Sequence, residues 1–488
     1  MYHPSLTDFK KLVNKGRTIP VYKEILGDLE TPVSCFCKVR DNYSYLLESA
    51  ESEEKIGRYS FIGINPKVFF KIKGNRVFIT RNGKEIIKEV EKNPLVFLKN
   101  IIASYQAVSS PSLPRFFGGA VGFVGYDYIR FIENLPERIE NDLDIPTAFF
   151  VITENNVIFD HLNHTIKIIA TIPIEGDPDK TYRMAIKSIE SIEEKLKKPL
   201  ILPCEKIKSK GQEFEVSKED YMKMVKNAKE YIKAGDIFQV VLSQRIKRKT
   251  QASSISIYRS LRHINPSPYM FLLDFPDYKI IGSSPELLVK LEDGIAETRP
   301  IAGTRKRGKT EDEDKELEKE LLQDPKERAE HIMLVDLGRN DLGRVCEFGS
   351  IEVSEFMKAE RYSHVMHIES SVKGKMKEGF GGFELLSASF PAGTLTGAPK
   401  IRACEIIDEL EKKRRNHYGG CVGYFGFTGN MDTGIIIRTI LLHKEIAYIQ
   451  AGAGIVSDSD PEKEYEESLN KASCCLSAIS LAEEGLIL

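Results

Sequence analysis

From about residue 20 to 170, apolar and polar positions alternate in short runs broken by turn residues, as in Val68-Phe69-Phe70-Lys71-Ile72, Arg76-Val77-Phe78-Ile79-Thr80 and Thr165-Ile166-Lys167-Ile168-Ile169. A period of two puts alternate side chains on opposite faces and predicts strands. A lysine- and glutamate-rich amphipathic stretch, roughly 178 to 200, comes next. Pro203 and the polar segment 206–212 then mark a boundary between an amino-terminal region, 1–200, and a carboxy-terminal region, 213–488. The second region opens with Ser217-x-x-Asp220, a capping signal, and Tyr221, Val225, Ala228 and Ile232 recur at helical spacing. Gly235 ends that helix and 237–246 continues as a strand. Later strands expected at 269–273, 419–427 and 435–442 alternate with helices without a regular βαβ rhythm, which favours an α+β fold over a doubly wound sheet.

The 488 residues suggest about three domain-sized units. Charge is balanced, 70 basic against 72 acidic residues, so no strong field points to nucleic acid or a membrane surface. Apolar runs such as Ala148-Phe149-Phe150-Val151-Ile152 are far too short to span a bilayer, and Met1-Tyr2-His3-Pro4-Ser5 lacks the features of a signal peptide. Eight cysteines without a CxxC pair argue against a disulfide scaffold or a zinc site. A reduced, cytoplasmic protein is expected.

Two helices are expected to begin with the same device. Asp324-Pro325 and Asp460-Pro461 each place a capping side chain at the N-cap and proline at N1. Glu327 and Glu330 follow in the first, Glu464 and Glu467 in the second, each pair at i, i+3 and so on one face. Spacing alone leaves two readings open. Acidic residues in a first turn suit the helix dipole, and carboxylates from two helices also suit magnesium, which takes one or two of them besides water and substrate oxygens.

Three further segments suit an anionic ligand. Pro391-Ala392-Gly393-Thr394-Leu395-Thr396-Gly397-Ala398-Pro399-Lys400 is a glycine loop opening a helix, either an ordinary capped turn or a cradle of backbone N–H groups, and it is not a Walker loop. Gln450-Ala451-Gly452-Ala453-Gly454-Ile455 reads as a second glycine loop. Arg438 lies in a strand-like apolar run, where a guanidinium needs either a structural salt bridge or a carboxylate ligand.

The stretches Glu297-Thr298-Arg299-Pro300-Ile301-Ala302-Gly303-Thr304-Arg305 and Gly235-Asp236-Ile237-Phe238-Gln239-Val240-Val241-Leu242-Ser243-Gln244-Arg245 resemble the chorismate-utilising enzyme family, as do Lys326-Glu327-x-x-Glu330-His331 and Glu464-x-x-Glu467-x-x-x-Lys471. The resemblance spans nearly the whole chain and is densest from 217 to 475. It implies two large, mostly antiparallel sheets packed as a sandwich with helices outside and the active site in a cleft of the carboxy-terminal region. It further implies a magnesium ion held directly by Glu330 and Glu467, with Glu327 and Glu464 supporting through water. Glu286 matches the family's general acid and His367 its active-site histidine, while His364 is read as an ordinary polar side chain. Thr304, Thr394, Gly397, Tyr418, Arg438, Gly452, Ala453, Gly454 and Lys471 match substrate contacts. Leu47, Glu48, Ser49, Ser60, Asn265, Pro266, Pro268, Tyr269 and Met270 resemble the family's tryptophan feedback site; plain hairpin and loop packing is the other reading.

Within the family, members making aminodeoxychorismate carry lysine in place of Ala302, and members making isochorismate or salicylate carry it in place of Gln239. This chain has neither amine, and a neutral Gln239 orients ammonia without deprotonating water. The resemblance therefore implies conversion of chorismate and ammonia to anthranilate and pyruvate under tryptophan feedback. Cys421, in Gly419-Gly420-Cys421-Val422-Gly423, lies in a synthase strand and is read as core packing, so a separate glutamine amidotransferase subunit is the expected ammonia source. Aminodeoxychorismate formation is the enzymic alternative. A non-catalytic tryptophan- or chorismate-binding regulator is the other, and binding alone would not require an acid such as Glu286 opposite a metal.

Overall fold

The computed structural model describes residues 1–50, 57–136, 139–202, 207, 211–361 and 365–486. Pro203, much of the polar boundary segment and His364 lie outside the described residues. The strands form one continuous hydrogen-bonded network, and two long strands, Tyr59–Lys73 and Ala148–Asp160, divide it into two layers. The early part of Tyr59–Lys73 pairs with Ser44–Glu48 and the later part with Arg76–Arg81. Between them the register shifts at Pro66, which has no N–H to give a ladder. Ala148–Asp160 likewise pairs first with Gly119–Val124 and then with Thr165–Ala170. Such bent strands carry a chain from one packed sheet to the next.

One layer contains Val21–Leu26, Thr165–Ala170, Ser44–Glu48, Tyr269–Asp274, Tyr278–Ser284, Thr439–His443, Ile446–Ile455 and Gln239–Lys249. The other contains Arg76–Arg81, Gly119–Val124, Cys421–Gly426, Met431–Ile435, Leu287–Glu292, Ile295–Thr298 and Val365–Lys375. All these ladders are antiparallel. The facing sides share an aromatic-rich core in which Tyr45, Phe61 and Phe271 meet Phe123, Phe149 and Tyr424; burying a ring of this size contributes roughly 1.5–3 kcal/mol. Helices cover the outer faces, with Phe36, Ile189, Tyr258 and Ile479 on one and Leu98, Val335 and Leu385 on the other. The expected α+β sandwich with external helices is therefore present. The expected boundary between 200 and 213 divides the sequence but not the sheets, because Ser44–Glu48 pairs with Tyr269–Asp274 and Gly119–Val124 with Cys421–Gly426. This pairing covers edges that would otherwise expose open N–H and C=O rows.

Two expectations need correction. The strand expected at 435–442 is broken: Met431–Ile435 belongs to one layer and Thr439–His443 to the other, and Arg438 lies between them with φ +47°. No glycine or proline marks this crossing, so apolar patterning could not reveal it. Gln450 to Ile455 is no loop but the end of the strand Ile446–Ile455. Its glycines serve close packing, since a Cβ at Gly452 would stand 2.3 Å from the Leu242 carbonyl oxygen.

Candidate active site

The chain crosses between layers a second time beside the first. Tyr278–Ser284 ends in one layer and Leu287–Glu292 begins in the other, so Glu286 and Arg438 both stand where the sheets exchange strands. The Glu286 carbonyl accepts the Ile435 N–H at 2.9 Å and the Arg438 carbonyl accepts the Ser283 N–H at 3.2 Å, which ties the crossings together. Burial pushes the Glu286 carboxyl up to about 7, although a 2.8 Å hydrogen bond from the Thr394 hydroxyl and the charge of Lys471 act the other way. A carboxylic acid so placed holds its proton near neutrality. Thr394 belongs to the short Gly393–Leu395 turn that precedes the helix Lys400–Leu410. Arg438 donates to the Asn265 side-chain oxygen at 3.1 Å, and among the described residues no carboxylate pairs with its guanidinium.

The two capped helices form as expected, Pro325–Gly343 and Pro461–Glu483. Asp324 accepts from the N–H groups of Lys326 and Glu327, Asp460 from those of Glu462 and Lys463. Their first turns lie together, for Lys326 reaches Asp458, just before the second helix, at 3.0 Å. The four glutamates are not equivalent. Burial raises Glu330, and the charge of Glu327 adds to it; burial raises Glu464, and Glu467 adds to it. Glu327 instead pairs with Arg305 at 3.2 Å, and that guanidinium also holds Glu320 and Asp324. Glu467 pairs with Lys471 at 2.6 Å. The charge of Lys471 is felt by Glu286, Glu330 and Glu464 alike, so these carboxylates share one electrostatic neighbourhood.

Among the described residues no three histidine, cysteine, aspartate or glutamate side chains stand close enough to form a complete metal cage. The donors nevertheless fit magnesium. They are all oxygens, two of them are pushed toward protonation by burial despite the charges of Lys471 and Lys326, and this ion needs few protein ligands.

Gln239 begins the strand Gln239–Lys249 and its amide N–H lies 3.3 Å from a Glu330 oxygen. Glycines make room around it. A Cβ at Gly454 would lie 2.7 Å from the Gln239 amide nitrogen and one at Gly397, where φ is +140°, 2.0 Å from its carbonyl oxygen; Ala453 is fully buried between. Ala302 is buried opposite Ile368, in the ladder of Ile301–Lys306 with Val365–Lys375 in the other layer. Next to Ile368, His367 directs Nδ1 at the Gly303 carbonyl oxygen, 2.8 Å away, with the Thr304 hydroxyl at 3.1 Å. Burial lowers the ring's pKa, and the Arg438 charge lowers it further. The neutral ring thus carries its proton on Nδ1 and its lone pair on Nε2. Tyr418 is buried, with Arg415 over its ring at 5.6 Å, so it packs behind the Thr394 turn. Cys421 is buried packing, its thiol pushed up to about 12 by desolvation.

The residues resembling a feedback site lie on neighbouring strands of one layer and the turns beside them, Leu47 and Tyr269 on its inner side and Glu48 and Met270 on its outer side. Met270 pairs with Glu48 and Phe271 with Leu47, and Leu47 pairs in turn with Phe61, beside Ser60. Glu48 is buried and raised by desolvation; it accepts the Tyr258 hydroxyl and has Arg262 at 3.5 Å. Ser60 contacts His161 at 2.8 Å, and the Tyr269 hydroxyl donates to Asp432 at 2.9 Å. Ser49, Pro266 and Pro268 flank this patch, where the Ala50 N–H donates to the Ser267 carbonyl at 3.1 Å.

Sequence patterning missed Arg415. In Lys412-Lys413-Arg414-Arg415 it looks like part of a solvated basic run. It is almost fully buried, bonded to Glu411 and to the carbonyls of Leu395 and Val241 at 2.7 Å each. It braces the Thr394 turn against the Gln239 strand, and only its tertiary partners identify it.

An acid at a strand crossing, an arginine with no carboxylate partner among the described residues and paired helical carboxylates stand in one part of the fold. The chain belongs to the chorismate-binding enzyme family, whose model matches residues 42–477. It is 49% identical to anthranilate synthase component 1 of Acetivibrio thermocellus, over 99% of this chain and 100% of that one. With the Aquifex aeolicus protein of the same name it is 47% identical, over 99% and 98%. The solved structure of anthranilate synthase component I from Streptococcus pneumoniae superposes with a TM-score of 0.78 at 37% identity, over 92% and 98% of the two chains. The menaquinone-specific isochorismate synthase of Escherichia coli shares the fold, with a TM-score of 0.70 at 17% identity over 97% and 99%.

Proposed function

We propose that the chain converts chorismate and ammonia to anthranilate and pyruvate, the reaction that commits chorismate to tryptophan. One observation carries the choice among the family's reactions. A protonatable Glu286 is joined by Gln239 and Ala302, so that neither of these two positions supplies the lysine amine with which other family members activate water or attack the ring. In this reading Arg438 binds a substrate carboxylate, and Gln239 orients ammonia for addition at ring carbon C2. Glu286 gives its proton to the departing C4 hydroxyl. The Nε2 lone pair of His367 then takes the C2 proton as pyruvate leaves and the ring becomes aromatic. Glu330 and Glu467, supported by Glu327 and Glu464, would hold a magnesium ion, which supplies positive charge to the ring carboxylate. Lys471, released from Glu467 when that carboxylate is engaged elsewhere, serves the same anion.

Ammonia comes from glutamine through an amidotransferase partner. The test is anthranilate fluorescence from the purified chain with chorismate, magnesium and either ammonium or glutamine. Product with ammonium alone is expected. Chorismate consumed without fluorescence would instead indicate aminodeoxychorismate or isochorismate as product, and no consumption with ammonium would exclude the reaction for the isolated chain.

Tryptophan is proposed to bind between the strand bearing Leu47 and Glu48 and the loop bearing Asn265, Pro266 and Pro268, closed by Ser60, Tyr269 and Met270. The buried Glu48 carboxylate is a fitting partner for an amino group. Ser49→Phe would fill this space. It is expected to raise the tryptophan concentration for half-inhibition at least about tenfold, as loss of one buried polar contact with added bulk would. Uninhibited turnover should change by less than about twofold, since Ser49 is assigned to the tryptophan site and not to the reaction; inhibition curves at fixed chorismate decide it.

A further inference from the structure

Arg438 is a long side chain with many rotamers, rooted on backbone at φ +47°. Among the described residues, the only hydrogen bond that its guanidinium makes is to the Asn265 side-chain oxygen, at 3.1 Å. We infer that Asn265 is a positioning residue for the substrate: its amide oxygen aims the Arg438 guanidinium at the substrate carboxylate while leaving its charge intact. This rests on the proposed role of Arg438 as the carboxylate clamp.

Three observations support it. The amide is itself oriented, since its nitrogen donates to Ser283 Oγ at 2.8 Å and to Ser267 Oγ at 3.2 Å, which turns its oxygen toward Arg438. A neutral acceptor suits the task, because a carboxylate there would hold the guanidinium equally well but occupy its fork and cancel its charge. The same strand carries the amide's anchor and leads to the acid. Ser283 also donates its backbone N–H to the Arg438 carbonyl, and Glu286 follows three residues later. One amide therefore sets the clamp relative to the proton donor. The Arg438 charge is felt at His367, which places the two side chains in one electrostatic neighbourhood.

The test is a double-mutant cycle read as KM for chorismate and kcat, with ammonium as nitrogen source. Asn265→Ala is expected to raise KM about tenfold, the effect of losing one charge-assisted hydrogen bond, with kcat within about threefold. Asn265→Asp, which keeps the side-chain shape and guards against a poorly folded alanine variant, should raise KM at least as much because its carboxylate competes with the substrate. In an Arg438→Gln background Asn265→Ala should add nothing. If it raises KM there by the same factor, or if both Asn265 variants keep the wild-type KM, the positioning role is overturned. If Arg438→Gln alone leaves KM unchanged, the clamp reading fails, a result separable from the other two.

Discussion

Glu286→Gln is expected to lower kcat for anthranilate formation about a thousandfold, the range for loss of a well-placed general acid. Glutamine keeps the side chain's shape and can still accept the Thr394 hydroxyl, but it has no proton to give the leaving hydroxyl. The pH profile provides a second signature. With the acid held near 7, wild-type kcat/KM, expressed per free ammonia, should fall above that pH as the proton is lost, and residual turnover in the variant should lack this limb. Stability should follow the same proton. The folded value of about 7 lies above the ordinary 4.5, so the folded chain binds this proton more tightly than the unfolded one. The associated stability is fully present below 4.5 and is lost as the pH rises through 7. At pH 8 the wild type carries a desolvated carboxylate costing up to about 2 kcal/mol, allowing for solvent that reaches the half-open site. The variant should therefore unfold at a higher temperature than wild type at pH 8 and at nearly the same temperature at pH 5. An inactive variant with no gain in stability would show that Glu286 is not strained by burial and is needed for another reason.

What the sequence made legible here follows from locality. The caps at Ser217, Asp324 and Asp460 and the αL glycine at 235 each act within a few residues, and each stands where the pattern predicts. The helices and strands follow from the same short-range periodicities, whereas their antiparallel pairing with helices outside was legible only through the family resemblance. The broken strand at Arg438 was hidden because its cause is the other layer, which receives the chain after the crossing. The glycines at 452 and 454 read as a loop because close approach of a neighbouring strand leaves the same mark in sequence as a turn. Individual roles behaved likewise. The i, i+3 spacing yields four carboxylates, yet it cannot tell Glu327, neutralised by Arg305, from Glu330, which is desolvated beside Gln239. That difference sits in partners tens of residues away, and it makes the four glutamates unequal in a measurable way.

Glu330→Gln and Glu327→Gln should accordingly separate. The first removes charge from a carboxylate that burial already raises and that holds a weak 3.3 Å contact from Gln239. If Glu330 is a direct ligand, the magnesium concentration for half-maximal turnover should rise at least about 100-fold, beyond the 10- to 100-fold usual for supporting residues. Its stability should hold or improve, because a desolvated charge is gone. Glu327→Gln leaves Arg305 with Glu320 and Asp324 as partners, so that network survives. The expected shift in magnesium dependence is about tenfold, as for a residue acting through water. Titrating magnesium against anthranilate fluorescence for both variants, with chelated enzyme as the zero point, distinguishes the roles. Equal shifts would mean that the Arg305 pairing does not persist when the ion binds and that the two carboxylates share the coordination. A larger shift for Glu327→Gln would reverse the assignment and make Glu330 the group that serves Gln239 and the incoming ammonia instead.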